Sequence, residues 1–359
     1  MKLPCIIALA TLLLTGPAAA QLQIAPPATI PSATPEKQKP KPPAPAKKEA
    51  APAPKPSASP KPAASSKPAP SPTVIPAPPT DNSNADLVFG AYQRGQYKTA
   101  FELATARAQS GDPKAMTMLG ELYSNAMGIR RDYAKAAEWY KRAADAGDRE
   151  AMFALAMLRI SGRGGAVDKG EAVKLMASAA KLGEPKAAYN LALLYLDGQT
   201  LPQDVRRSAE LLRQAADAGL PEAQYALATF YKEGTGVAKD PERAVRLLQA
   251  ASLADNVDAE VEYAIAMFNG TGTPKNQPAA VALLRKASRQ GSAIAQNRLA
   301  WVLINGAGVA VDKVEGFKWH LVAKTAGKGD PELDKQLSDL PADERAKAEA
   351  AARKWLGSK

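Results

Sequence analysis

The stretch KAAEWYKRAADAG, Lys135–Gly147, decides the fold, because pieces of it return at a fixed distance along the chain. The glycine that closes it has counterparts at Gly111, Gly183, Gly219, Gly291 and Gly327, with Asp255 filling the one remaining position. Every step between these marks is 36 residues. Four residues after each mark stands Ala115, Ala151, Ala187, Ala223, Ala259 or Ala295. Thirty-two after it stands Ala143, Ala179, Ala215, Ala251, Ala287 or Ala323. Two columns held through six units, with others agreeing in register, are more than alanine-rich composition produces.

Each unit reads as two helices. The first opens after an N-cap residue (Asp112, Asp148, Asn256, Ser292), with Pro113, Pro185 and Pro221 at the first helical position, where the missing N–H costs nothing. Leu119, Leu155, Leu191, Leu227, Tyr263 and Leu299 follow one turn beyond the first alanine column, on its face. The adjacent column is small throughout: Gly120, Ala156, Ala192, Ala228, Ala264, Ala300. Glycine-rich turns such as GTGVAKD and GAGVAVD stop this helix. Asp132, Asp168, Asp204, Asp240, Asn276 and Asp312 stand where a second helix needs a cap. The second helix is expected to bury Leu175, Leu211, Leu247 and Leu283, with Trp139 and Trp319 in the same column. One hairpin of this size cannot bury both apolar faces alone, so neighbours must stack.

The period, with LGELY, WYKRAADAG and the Gly-x-Gly turns, resembles the Sel-one-like repeat, a cousin of the tetratricopeptide repeat. The resemblance implies an all-α, right-handed α/α solenoid of six helix-turn-helix repeats at 111–146, 147–182, 183–218, 219–254, 255–290 and 291–326. Repeat two departs from the pattern with Arg159 in place of tyrosine and GRGGAVDKG as its turn, and repeat three lacks the second turn glycine in DGQTLPQD. Residues 83–110 resemble a tetratricopeptide-type hairpin and read as an N-terminal helical cap. Residues 327–359 read as a C-terminal cap of two helices around Pro341, whose charges suit a solenoid end.

The N-terminal part is different material. Residues 1–20 have Lys2, an apolar run from Ile6 to Leu14, a Gly-Pro break and three alanines, the layout of a cleavable export signal with cleavage after Ala20. That apolar run is about half the ~20 residues a bilayer span requires. Cys5 precedes the run and leaves with the signal, so thiolate chemistry is not expected in the mature chain. Residues 21–82 are expected to form a disordered Pro/Ala/Lys-rich linker; to residue 80 the stretch holds nineteen prolines, eight lysines, two glutamates and no aromatic residue. It has too little apolar surface to offset the entropy of ordering, and its prolines favour an extended spacer. The net charge of +11 divides accordingly, with +6 on that segment and +4 on residues 81–359. The tail is expected to act as a solvated spacer, the alternative being weak adhesion to anionic cell-wall polymer or lipid headgroups. Nucleic acid is disfavoured by export and by the nearly balanced folded part.

Little chemistry is visible. No catalytic residue, metal site or cofactor is expected. The single histidine, His320, shares a column with Tyr140, Met176, Leu212, Leu248 and Leu284, which is a packing position. Without a second histidine an ordinary zinc site lacks ligands. The Gly-x-Gly sequences lie between two helices and lack the strand that a nucleotide loop needs.

The candidate site is therefore a surface. The resemblance places the first helices on the concave side of the stack, with positions 6, 10 and 13 after each mark facing it. These hold Phe153, Met157 and Ile160, then Tyr189, Leu193 and Leu196, then Tyr225, then Val261, Ile265 and Phe268, then Trp301 and Ile304. Repeat one offers only Thr117, Glu121 and Ser124 there. Such a stripe suits a groove for a peptide or partner helix, with Asn190, Asn269 and Asn305 beside it; it equally suits packing between neighbouring first helices. The expected role is a non-enzymatic, exported protein–protein interaction scaffold or regulator in the periplasm or outside the cell. The alternative is a glycan-binding or cell-wall-modifying protein whose aromatics stack on sugar rings.

Overall fold

The computed structural model describes residues 83–358, with side chains from residue 87 onward. The export signal expected at 1–20 and the linker at 21–82 lie outside the described residues. Among the described residues the fold is all-α. A leading hairpin, α1 (Ser83–Gln93) and α2 (Tyr97–Gln109), precedes the repeats. Repeat one is α3 (Pro113–Asn125) and α4 (Tyr133–Asp145), repeat two α5 (Arg149–Ser161) and α6 (Lys169–Lys181). Repeat three is α7 (Pro185–Asp197) and α8 (Val205–Asp217), repeat four α9 (Pro221–Glu233) and α10 (Pro241–Leu253). Repeat five is α11 (Val257–Asn269) and α12 (Gln277–Arg289), repeat six α13 (Ala293–Asn305) and α14 (Lys313–Thr325). α15 (Pro331–Ser338) and α16 (Ala342–Gly357) close the chain on either side of Pro341. Each helix packs on the one before it, α16 packing chiefly on α14, so the units stack as a solenoid.

Hydrogen bonds fix each boundary in the same way. Asp132, Asp168, Asp204, Asp240, Asn276 and Asp312 all accept a backbone N–H from the first turn of the second helix, at 2.8–3.1 Å. Removing one such cap costs about 1 kcal/mol. Leu220 caps α9 without a side-chain bond, and Pro221 opens that helix instead. The mark glycines adopt positive φ, from 73° to 98°, and Asp255 does so at 58°. After every mark but the first, the next residue donates back to the second alanine column, as Asp148 to Ala143 (3.0 Å), Leu220 to Ala215 (3.1 Å) and Ser292 to Ala287 (3.1 Å), while Asp112 donates to the Arg107 carbonyl (3.2 Å). That bond closes one helix and aims the next.

The departures in repeats two and three leave the hairpin intact. In all six repeats the N–H of the second-helix cap bonds the carbonyl nine residues earlier, at 2.8–3.1 Å. Asp168 does so to Arg159 and Asp204 to Tyr195. The side chain that replaces tyrosine is thus irrelevant to this bond. In repeat two Gly162 and Gly164 still take positive φ.

Close packing explains the small columns. Every alanine of the two invariant columns is buried. The helices of a hairpin meet through the small column at Gly120 to Ala300 and a second one the sequence reading did not single out: Ala136, Ala172, Ser208, Ala244, Ala280, Gly316, all buried. A Cβ on Gly316 would lie 2.6 Å from Ile304 Cγ1 and 3.2 Å from the Ala300 carbonyl oxygen. The deep column of the second helix is Tyr140, Met176, Leu212, Leu248, Leu284 and His320, each 6 % exposed or less. In the adjacent column, Trp139, Leu175, Leu247 and Leu283 are half-buried, Trp139 packing with α2 and α3 and Leu175 with residues of repeats one and two, whereas Leu211 and Trp319 are buried, the Trp319 ring edge-on to Trp355. Both columns expected to pack do so, the one from Tyr140 to His320 more deeply, because packing within the hairpin and stacking on neighbours use adjacent columns.

Candidate partner-binding face

The face in question is built from first helices only, so its side chains repeat at a spacing set by the stack. Each first helix ends in a residue with left-handed backbone: Ala126, Gly162, Gly198, Gly234, Gly270 and Gly306. All twelve expected residues lie in these helices, and none is fully exposed. Leu193, Val261 and Ile304 are buried, at 5 %, 4 % and 7 % exposure. Ile304 turns toward α14, where Gly316 leaves it room. The remaining nine, Phe153, Met157, Ile160, Tyr189, Leu196, Tyr225, Ile265, Phe268 and Trp301, are half-buried, their inner edges packed on the core.

Polar links run along the same face from unit to unit. Tyr92 donates to Glu121 at 2.8 Å, Thr117 to Asp148 at 3.1 Å, Lys232 to Glu262 at 3.1 Å, and Trp301 Nε1 to Asp330 at 3.0 Å. The asparagines expected to serve a ligand are partly engaged, Asn190 donating to the Lys186 carbonyl and Asn305 to the Trp301 carbonyl, both at 2.8 Å. Their amide oxygens keep acceptor capacity.

The electrostatics of the two helix layers differ. The six second helices carry seventeen Lys and Arg against seven Asp and Glu, whereas the six first helices carry six against eight. The excess of carboxylates sits in the middle, on α9 and α11. The Tyr225 phenol is pushed well above its ordinary range, first by burial and then by the negative charges of Glu262, Asp258 and Glu233. Tyr189 moves the same way, through burial and Glu222. Tyr140, beneath repeat one, is pushed up to about 12 by burial.

His320 is fully buried and its Nε2 lies 2.8 Å from Asp334 Oδ1, tying α14 to α15. The hydrophobic column explains its burial; its polar partner came from a cap whose position the repeat could not predict. Among the described residues no cluster of His, Cys, Asp and Glu is arranged to hold a metal ion. No helix among them is long and apolar enough to cross a membrane.

Comparison with known proteins agrees with this geometry. The Sel1 repeat matches six times in succession, at residues 113–148, 149–184, 185–220, 221–256, 257–292 and 293–328. The chain is similar to the crystal structure of a Sel1 repeat protein from Oxalobacter formigenes, with a TM-score of 0.57 and 24% identity over 67% of this chain and 96% of that one. It is also similar to c5321, a protective antigen of uropathogenic Escherichia coli strains with an SLR fold, with a TM-score of 0.51 and 24% identity over 77% of this chain and 68% of that one. No protein with a curated description matches.

Proposed function

The chain belongs to the Sel1 repeat family, and from that premise we propose that it is an exported scaffold which holds a peptide or partner helix of another cell-envelope protein on its first-helix face. Solenoids of this family serve as protein–protein interaction scaffolds. The observation that carries the finer reading is the row of half-buried Phe153, Tyr189, Tyr225, Phe268 and Trp301. Their inner edges are fixed by the core, so their outer edges are presented without much further loss of side-chain freedom on binding. The layout of residues 1–20 supports export with cleavage after Ala20, and the lysine- and proline-rich segment supports a spacer with weak affinity for anionic envelope polymer.

The test is crosslinking in the native envelope followed by identification of the captured protein by mass spectrometry. The same protein should be recovered in replicate with the parent chain and lost when Tyr189 and Tyr225 are both replaced by alanine. Capture that survives those substitutions would place the contact elsewhere. Sedimentation with purified peptidoglycan, abolished by the same substitutions, would favour glycan binding over a protein partner. The amino-terminal sequence of the exported chain should begin at Gln21.

A further inference from the structure

Resting on the reading just given, we infer that the segment held at repeats three to five is cationic: apolar side chains set against Tyr189 and Tyr225, flanked by lysine or arginine that meets Glu222, Glu233 and Asp258. The folded part as a whole is basic, with +4 on residues 81–359. A surface with no charge preference would share that sign. Instead α9 and α11 carry one lysine against five carboxylates. Glu260 is buried and bonded to Lys286, and Glu262 pairs with Lys232. Glu222, Glu233 and Asp258 remain exposed, with no ion pair among the described residues.

Register brings these carboxylates to the tyrosines. Asp258 and Glu262 stand one turn apart on α11, and Glu222 occupies on α9 the position that Asp258 occupies 36 residues later. The row thus has an apolar centre with an anionic rim. Like charges held near one another repel, and a cationic ligand relieves that repulsion while an anionic one adds to it. The rim selects the partner and the tyrosines anchor it.

A displayed library of short random peptides, selected on the full chain at low salt, tests this. Enriched peptides should carry more lysine and arginine than the input. They should bind roughly tenfold or more weakly to a Glu222→Lys, Asp258→Lys variant, and lose affinity as salt is raised. The variant's melting midpoint should fall by no more than a few degrees, since both side chains are exposed and only their first-turn dipole contribution is reversed. Neutral or acidic peptides that depend on Tyr225 would overturn the charge assignment and leave the groove standing. Basic peptides insensitive to both the charge reversal and Tyr225→Ala would bind elsewhere and sink both, as would the absence of any enrichment.

Discussion

Gly120 and Tyr140 form a matched pair, and their exchange tests how the hairpins are held. A Cβ on Gly120 would lie 2.5, 2.6 and 2.9 Å from Cε1, Cδ1 and Cγ of the Tyr140 ring. Carbon atoms in contact sit at roughly 3.5–4.0 Å, so the ring must move by about 1 Å. Tyr140 is only 6 % exposed and has little room to do so. Overpacking of this kind costs about 1–3 kcal/mol, against which alanine recovers about 1 kcal/mol of helix propensity. Gly120→Ala should therefore destabilise by up to about 2 kcal/mol. Tyr140→Leu should cost about 2–3 kcal/mol through the void it leaves. Together they install the combination already present in Ala192 with Leu212, Ala228 with Leu248 and Ala264 with Leu284. The double variant should then lie within about 1 kcal/mol of the parent, a coupling of at least about 1 kcal/mol. Chemical denaturation followed by far-UV circular dichroism, with hydrogen exchange at repeat-one amides, measures all three variants. Additivity within about 0.5 kcal/mol would refute the argument that small columns and large neighbours are chosen together.

A second comparison isolates stacking from backbone strain. Gly219 and Gly272 both have positive φ, but a Cβ on Gly219 meets nothing within 4 Å whereas one on Gly272 lies 2.3 Å from the Pro241 carbonyl oxygen in the preceding repeat; by thermal melting, Gly219→Ala should cost about 1 kcal/mol and Gly272→Ala about 3 kcal/mol. Glu260 occupies the position of Gln224 and Gln296, whose amides donate to the Ala216 and Ser288 carbonyls at 3.3 and 3.0 Å. Glu260→Gln should keep or raise the melting midpoint by making that bond to Ser252; Lys286→Met should lower it by stranding the buried carboxylate, and the two combined should recover most of the loss. Asp334 is held below the ordinary carboxylate range by its bonds to Lys324 and then His320. Its contribution is complete above that range and disappears as pH falls through the depressed value. Hydrogen-exchange protection in α15 and α16 should fall with acid in the parent, while Asp334→Asn should be less protected at neutral pH and flatter on acidification.

The period made the solenoid legible, because a 36-residue spacing of glycine and alanine has few physical causes other than repeated close approach. The caps were legible for the same local reason: Asp132 or Asn276 satisfies its own helix, and nothing distant is needed. What escaped the sequence depended on neighbours. The small column from Ala136 to Gly316 looks like helix-favouring composition until the partner helix is in place. Both apolar columns of the second helix were legible as packing positions, but only the stack shows that Tyr140 and Met176 are buried while Trp139 and Leu175 stay half-buried. On the first-helix face, apolarity picked out the row but left groove and packing as alternatives, and it could not separate Leu193, which is buried, from Leu196, which is half-buried. The charge difference between the layers was present in the sequence all along. It appears only once helix boundaries allow the residues to be sorted by face.

A photo-crosslinking amino acid placed singly at Tyr189, at Tyr225, and at Arg206 and Arg246 in the second-helix layer addresses the main proposition most directly. In native cells the two tyrosine positions should give the same discrete adduct and the two arginine positions should give none. Adducts confined to the arginine positions, or the same adduct from both layers, would contradict the assignment of partner binding to the first helices.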